Sequence, residues 1–128
     1  MRFLLDTHLL LWIADRSPRL PAAARAVIED ATARLMFSVV SIWEVAIKSG
    51  LGRHDFRWEA HTLRHGLLDA GYAELPITGA HAVGVATLPR LHSDPFDRIL
   101  VVQALVDEVT LLTADPLLAR YPAPIRLV

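Results

Sequence analysis

Four acidic side chains follow short apolar runs or helix-start signals. Asp6 comes after Phe3-Leu4-Leu5, and Glu44 closes Ser41-Ile42-Trp43-Glu44. Asp97 closes Asp94-Pro95-Phe96-Asp97, and Asp115 comes after Leu111-Leu112-Thr113. Carboxylates brought into one pocket repel one another unless a cation neutralises them. Hard divalent cations take oxygen ligands, and Mg²⁺ in particular uses a few carboxylates together with water and substrate phosphate. Such a site activates water and stabilises charge on a phosphate during transfer.

Each acid also has a local reading with no chemistry in it. Asp6 can cap a helix starting near Thr7-His8-Leu9, although a carboxylate beside a buried strand is costly unless compensated. Ser41-x-x-Glu44 has the capping-box pattern, which outweighs catalysis when Glu44 is taken alone. Asp94 reads as a cap, Pro95 as the first helical residue, and Asp97 as an acid favoured by the helix dipole. Asp115-Pro116 is again cap plus proline. Capping and cation binding are compatible, so the case for a metal site rests on convergence of the four acids.

Convergence depends on the elements that carry them. Strands are predicted at Arg2–Asp6, Leu35–Val39, Tyr72–Ile77, Val109–Thr113 and Ile125–Val128, several apolar at consecutive positions as strands covered on both faces are. Helices are predicted at Pro21–Asp30, Ser41–Gly50, Arg57–Ala70, Thr78–Leu88 and Pro95–Glu108, from caps, proline starts and glycine stops. Strands separated by helices pair in parallel through right-handed crossovers, giving a three-layer α/β/α domain. Ligands in such sheets sit beyond the carboxyl ends of the strands, the end at which all four acids emerge.

Composition bounds the function. The 128 residues suit one domain, read here as 1–128 without repeat or linker. A net charge of −1 argues against blanket coating of nucleic acid but allows a local basic face. Twelve of the thirteen basic residues are Arg, which codon bias accounts for as readily as phosphate binding. With no cysteine, disulfides, thiolate zinc sites and a cysteine nucleophile are excluded. Asp6 and His8 interrupt the opening apolar run, and no stretch of about 20 apolar residues could span a bilayer. The expectation is a cytoplasmic protein with no membrane partner.

The segments Leu4-Leu5-Asp6-Thr7-His8, Val40-Ser41-Ile42-Trp43-Glu44-Val45-Ala46-Ile47-Lys48, Asp94-Pro95-Phe96-Asp97-Arg98-Ile99-Leu100 and Leu112-Thr113-Ala114-Asp115 resemble, in order, the motifs of a PIN domain, specifically the toxin nuclease (VapC) of VapBC toxin–antitoxin pairs. The resemblance spans almost the whole chain. It implies a five-stranded sheet of order 3-2-1-4-5 and a Mg²⁺- or Mn²⁺-dependent endoribonuclease. Asp6, Glu44 and Asp97 would be the principal metal ligands or water-activating acids, and Asp115 a fourth acid of more variable role. Thr7, Ser41 and Thr113 would orient the acids or their waters, and Asp94 would be a cap that also contacts the site. The reaction implied is in-line attack on phosphorus by metal-activated water, leaving 5′-phosphate and 3′-hydroxyl ends. The implied partners are RNA (tRNA or another structured RNA), a cognate antitoxin laid across a groove near the acids, and a second copy in a homodimer.

Three further residues are candidates for substrate contact: His8 beside Asp6, Lys48, and Arg98 next to Asp97. Lys48, Arg53, His54, Arg57, Arg64 and His65 form the densest basic stretch, which fits a phosphate-gripping surface and a solvated helix face equally. Leu9-Leu10-Leu11-Trp12-Ile13 is apolar on every side, which points to a partner or oligomer surface. Two rivals remain. A Mg²⁺-binding receiver-like signalling domain wants an acid closing its third strand and a Lys closing its last, whereas here Pro76-Ile77-Thr78 closes the third and the only Lys is early. A non-catalytic α/β binding domain would use its acids only as caps.

Overall fold

Alternation along the central strands builds the protein in three layers. In β1 (Arg2–Leu5), Phe3 and Leu5 join one core and Leu4 the other. In β4 (Thr110–Thr113), Leu112 and Leu111 divide the same way. The computed structural model describes residues 1–51 and 57–128, so Arg53 and His54 of the basic stretch lie outside the described residues.

The remaining strands are β2 (Arg34–Ser38), β3 (Ala73–Leu75) and β5 (Ile125–Leu127). They form one parallel sheet of order β3-β2-β1-β4-β5, as the resemblance implied. One core packs Leu9 and Leu10 of α1 (Thr7–Ala14), Ala24 of α2 (Ala22–Ile28), Val45 of α3 (Val39–Gly50), and Leu63 and Leu67 of α4 (Ala60–Asp69). The opposite core takes Leu100, Val101, Val102 and Ala104 of α6 (Pro95–Asp107), with α5 (Gly79–Gly84) beside it. Among the described residues no helix is long and apolar enough to cross a membrane.

Predicted ends shift by one or two residues in several elements, and three helices differ for a local reason. The second long helix starts at Val39, not Ser41, because Ser38 is the cap and its Oγ accepts the Val40 N–H at 3.0 Å. The predicted Arg57 start shifts to Ala60, where Glu59 accepts the N–H groups of His61 and Thr62. The predicted Thr78–Leu88 helix breaks into α5 and a 3-10 turn at Val85–Thr87. There the Thr87 hydroxyl donates to the Gly84 carbonyl that the Leu88 N–H would take in a continuing helix, Leu88 N–H turns to the Val85 carbonyl, and Pro89 has no N–H to carry the helix further. Gly84 also lies so close to α6 that a Cβ would meet Val102 Cγ1 at 2.7 Å.

Candidate active site

The register that pairs Leu5 with Leu112 brings Asp6 and Thr113 together just beyond the sheet. Asp6 is buried and is the cap of α1. Its Oδ1 caps α1 by accepting the Leu9 N–H at 2.9 Å, and its Oδ2 accepts the Thr113 hydroxyl at 2.5 Å. Thr113 Oγ1 in turn accepts the Asp115 N–H at 3.0 Å, so one hydroxyl couples two of the acids. Burial is the main force raising the Asp6 pKa above its ordinary value. The Thr113 and Leu9 hydrogen bonds and His8 oppose it, and the charge of Asp115 adds to it.

Glu44 arrives from α3. Because that helix starts at Val39, Glu44 lies in its second turn and Ser41-x-x-Glu44 is not a capping box. Ser41 instead accepts the Thr7 hydroxyl at 2.8 Å in a buried contact, which ties the start of α1 to α3 one turn ahead of Glu44. Glu44 Oε2 pairs with Lys48 at 2.5 Å, while its buried Oε1 has no partner among the described residues. An unpaired oxygen on a buried carboxylate is costly unless it faces a ligand. Lys48 thus belongs to the acid cluster, not to a separate basic surface.

The first turn of α6 supplies the third acid. Asp94 is the cap, accepting Phe96 N–H at 2.8 Å and Asp97 N–H at 3.4 Å, and Pro95 follows as the sequence indicated. Phe96 meets Trp43 edge-on, with centroids 5.3 Å apart, so α3 and the start of α6 pack next to their acids. Asp97 is freed from capping. Burial first, then the charge of Asp94, raise its pKa from 3.8 to about 7; Glu44 and Asp6 add to this, and His92 opposes it. The charges of Asp94, Glu44 and Asp6 therefore reach Asp97 from three elements.

His92 was not singled out from sequence. Its Nε2 lies 3.1 Å from Asp115 Oδ2 and 3.4 Å from Asp97 Oδ2. The only available signal was its place two residues ahead of a cap acid, where a side chain can reach that acid's own N–H, and it does so at 3.0 Å. His92, Asp97 and Asp115 each offer an atom within 4.8 Å of the others. Asp115 Oδ1 is occupied by the Leu117 N–H at 2.9 Å.

The other sequence candidates fall outside this cluster or face away from it. His8 is exposed and stacks loosely on Trp12 with centroids 6.1 Å apart. Arg98 donates to the carbonyls of Pro89 and Val85 and to Tyr121 Oη. In the basic stretch, Arg57 pairs with Asp15, Arg64 with Glu74 and His65 with Asp69, so most of its described charge is compensated. The apolar start of the chain is only partly used up by the core: Leu9 and Leu10 are buried, whereas Ile13 lines a cavity of about 500 Å³ with Trp58, Leu63, Leu67 and Tyr72.

The donor set suits a hard divalent cation: carboxylates, one buried oxygen unpaired among the described residues, and a carboxyl whose pKa burial and neighbouring acids raise to about 7. A family model described as PIN domain matches residues 3–124. No curated protein sequence matches the chain. Among solved structures the chain is similar to VapBC2 from Rickettsia felis bound to a DNA fragment from its promoter, at 12% identity and TM-score 0.75, covering 100% of this chain and 99% of that one. It is similar also to DNA-bound VapBC from Salmonella typhimurium (16% identity, TM-score 0.68, 100% and 97% covered). A third likeness is to VapBC-1 from nontypeable Haemophilus influenzae (20% identity, TM-score 0.57, 90% and 87% covered). At these identities the structural likenesses speak to the fold.

Proposed function

The chain belongs to the PIN-domain family, and from that premise we propose that it is a Mg²⁺- or Mn²⁺-dependent endoribonuclease, the toxin of a type II toxin–antitoxin pair. The observation carrying this reading is the gathering of acids about Asp97, which offers an oxygen within 4.8 Å of Asp115 and feels the charges of Asp94, Glu44 and Asp6, with a buried Glu44 oxygen unpaired among the described residues. Asp6, Glu44 and Asp97 hold the cation, and Asp115 completes the site. A bound divalent ion supplies a water activated at neutral pH and positive charge against the phosphate oxygens.

The protein's own groups do the rest. Thr113 fixes the Asp6 carboxylate through one oxygen, leaving its other lone pairs available. The Thr7–Ser41 bond sets Glu44 against Asp6. Asp97, which burial and neighbouring acids hold up to about 7, gives up its proton as positive charge enters. Lys48 limits the negative charge around Glu44 and lies within reach of a substrate phosphate. Residues 1–128 act as one domain on this reading, since one sheet serves both cores.

RNA is the substrate and a cognate antitoxin the protein partner, in line with the VapBC pairs whose fold it shares. The apolar cavity beside Ile13 and Trp58 suits a side chain of such a partner. Trp43, Ile47 and Leu51, exposed at four-residue spacing, suit a homodimer face. The receiver alternative is disfavoured by topology, because receivers order their strands 2-1-3-4-5.

The test is incubation of the purified chain with tRNA and other structured RNAs, with Mg²⁺, Mn²⁺ or chelator. Metal-dependent cleavage leaving 5′-phosphate ends, lost in Asp97→Asn, is expected. A folded chain that binds Mn²⁺ and cuts none of these RNAs would favour the non-catalytic binding domain.

A further inference from the structure

His92 has the distances of a metal ligand, yet its hydrogen bonds assign it different work. Its Nδ1 accepts the Asp94 main-chain N–H at 3.0 Å. A nitrogen accepting a hydrogen bond carries no proton, so the proton of the neutral ring is on Nε2. That is the nitrogen facing Asp115 at 3.1 Å and Asp97 at 3.4 Å. A histidine ligates through a bare nitrogen, and here the bare nitrogen is spent on the backbone. For Nε2 to ligate, the proton would have to move to Nδ1, where it would face the Asp94 N–H donor to donor.

The main chain that carries the ring is also held. The His92 main-chain N–H donates to Tyr121 Oη at 2.9 Å, and Tyr121 is buried. Arg98 donates to the same oxygen at 3.3 Å and to the Pro89 carbonyl at 3.0 Å, so a guanidinium on α6 clamps the loop that carries His92. Every acceptor found for Arg98 is neutral, which suits a clamp.

Building on the metal-site reading above, we propose that His92 is a positioning residue. The Asp94 N–H holds it as the Nε2–H tautomer while Tyr121 and Arg98 anchor its loop, and it orients Asp115 and Asp97 without ligating the cation. It holds one oxygen of Asp115 by a hydrogen bond and stands against one oxygen of Asp97. The Leu117 N–H takes the other Asp115 oxygen, so that carboxylate is fixed at both ends.

The experiment has a metal-free arm and a metal arm. Long-range ¹H–¹⁵N spectra of the metal-free chain at alkaline pH, with His92 assigned by its absence from the His92→Gln spectrum, are expected to show a protonated Nε2 and a bare Nδ1. In the metal arm, Mn²⁺ bound to the wild type is expected to show no hyperfine coupling to a directly ligated ¹⁴N. Mn²⁺ affinity is expected to fall roughly 10- to 100-fold in His92→Ala. It is expected to recover in His92→Gln, whose amide can donate from a similar place. A protonated Nδ1, or ¹⁴N coupling lost in His92→Gln, would overturn the proposal. So would His92→Ala that stays folded and binds Mn²⁺ like the wild type. If the wild type binds no Mn²⁺, the metal-site reading fails, and the tautomer spectra still decide which way the ring is held.

Discussion

Replacing Asp97 with Asn is expected to stabilise the metal-free protein most at pH 8 and by less than half as much at pH 5. The folded chain raises this carboxyl from 3.8 to about 7, mostly by burial. Between roughly pH 4 and 7 the native state therefore binds a proton that the unfolded state has released, and stability falls as pH rises through that window. At about 1.36 kcal/mol per pKa unit, a rise of roughly three units corresponds to a ceiling of about 4 kcal/mol. The side chain is only 15% exposed, so solvent screening removes little of this. The opposing dipole benefit of an ionised acid in a first helical turn is about 0.3–1 kcal/mol. Burial and repulsion win, leaving a net gain of roughly 2–4 kcal/mol for Asn at pH 8, or very roughly 10 °C in melting temperature for a domain of this size. The cap is not lost, because Asp94 makes it. The assay is urea and thermal unfolding of both proteins in chelator at pH 5, 6, 7 and 8, repeated with Mn²⁺. In Mn²⁺ the wild type alone is expected to gain stability with concentration. A wild-type-minus-Asn difference that is flat from pH 5 to 8, or an Asn variant less stable at pH 8 without metal, would refute the reasoning.

Three other perturbations probe the neighbours of this group. Thr113→Val removes the donor to the buried Asp6 Oδ2 and the acceptor of the Asp115 N–H, with an expected loss of about 1–3 kcal/mol by urea unfolding and weaker Mn²⁺ binding by calorimetry. Lys48→Met leaves Glu44 buried without its cation; a metal-free loss of about 1–3 kcal/mol is expected, partly recovered by Mn²⁺, and no loss would show the ion pair to be incidental. Gly84→Ala forces a methyl group against Val102 on α6, and about 1–3 kcal/mol of destabilisation is expected in thermal melts at either pH extreme, independent of metal.

Much of this molecule was legible locally. Asp94 as cap with Pro95 behind it, Thr78 as a helix start and Gly71 as a stop are decided by neighbours within a few residues, and each stands where its chemistry requires. Alternating short apolar runs and helices were enough for a three-layer parallel sheet, because only that arrangement covers both faces of such strands. Local patterns also misled. Ser41-x-x-Glu44 reads as a capping box only while the strand is allowed to run through Val39; once Ser38 turns the chain into helix, the same Glu44 faces the acid cluster. The long-range facts had no local signature. Thr113 reaches Asp6 across 107 residues, and His92 reaches Asp115 across 23, because parallel pairing of β1 with β4 gathers the strand ends on one edge. A sequence carries the types of groups and the periods that build elements. Which oxygen is capped, which stays unpaired and which ring nitrogen keeps its proton are settled by contacts between distant segments, and those exist only once the sheet has formed.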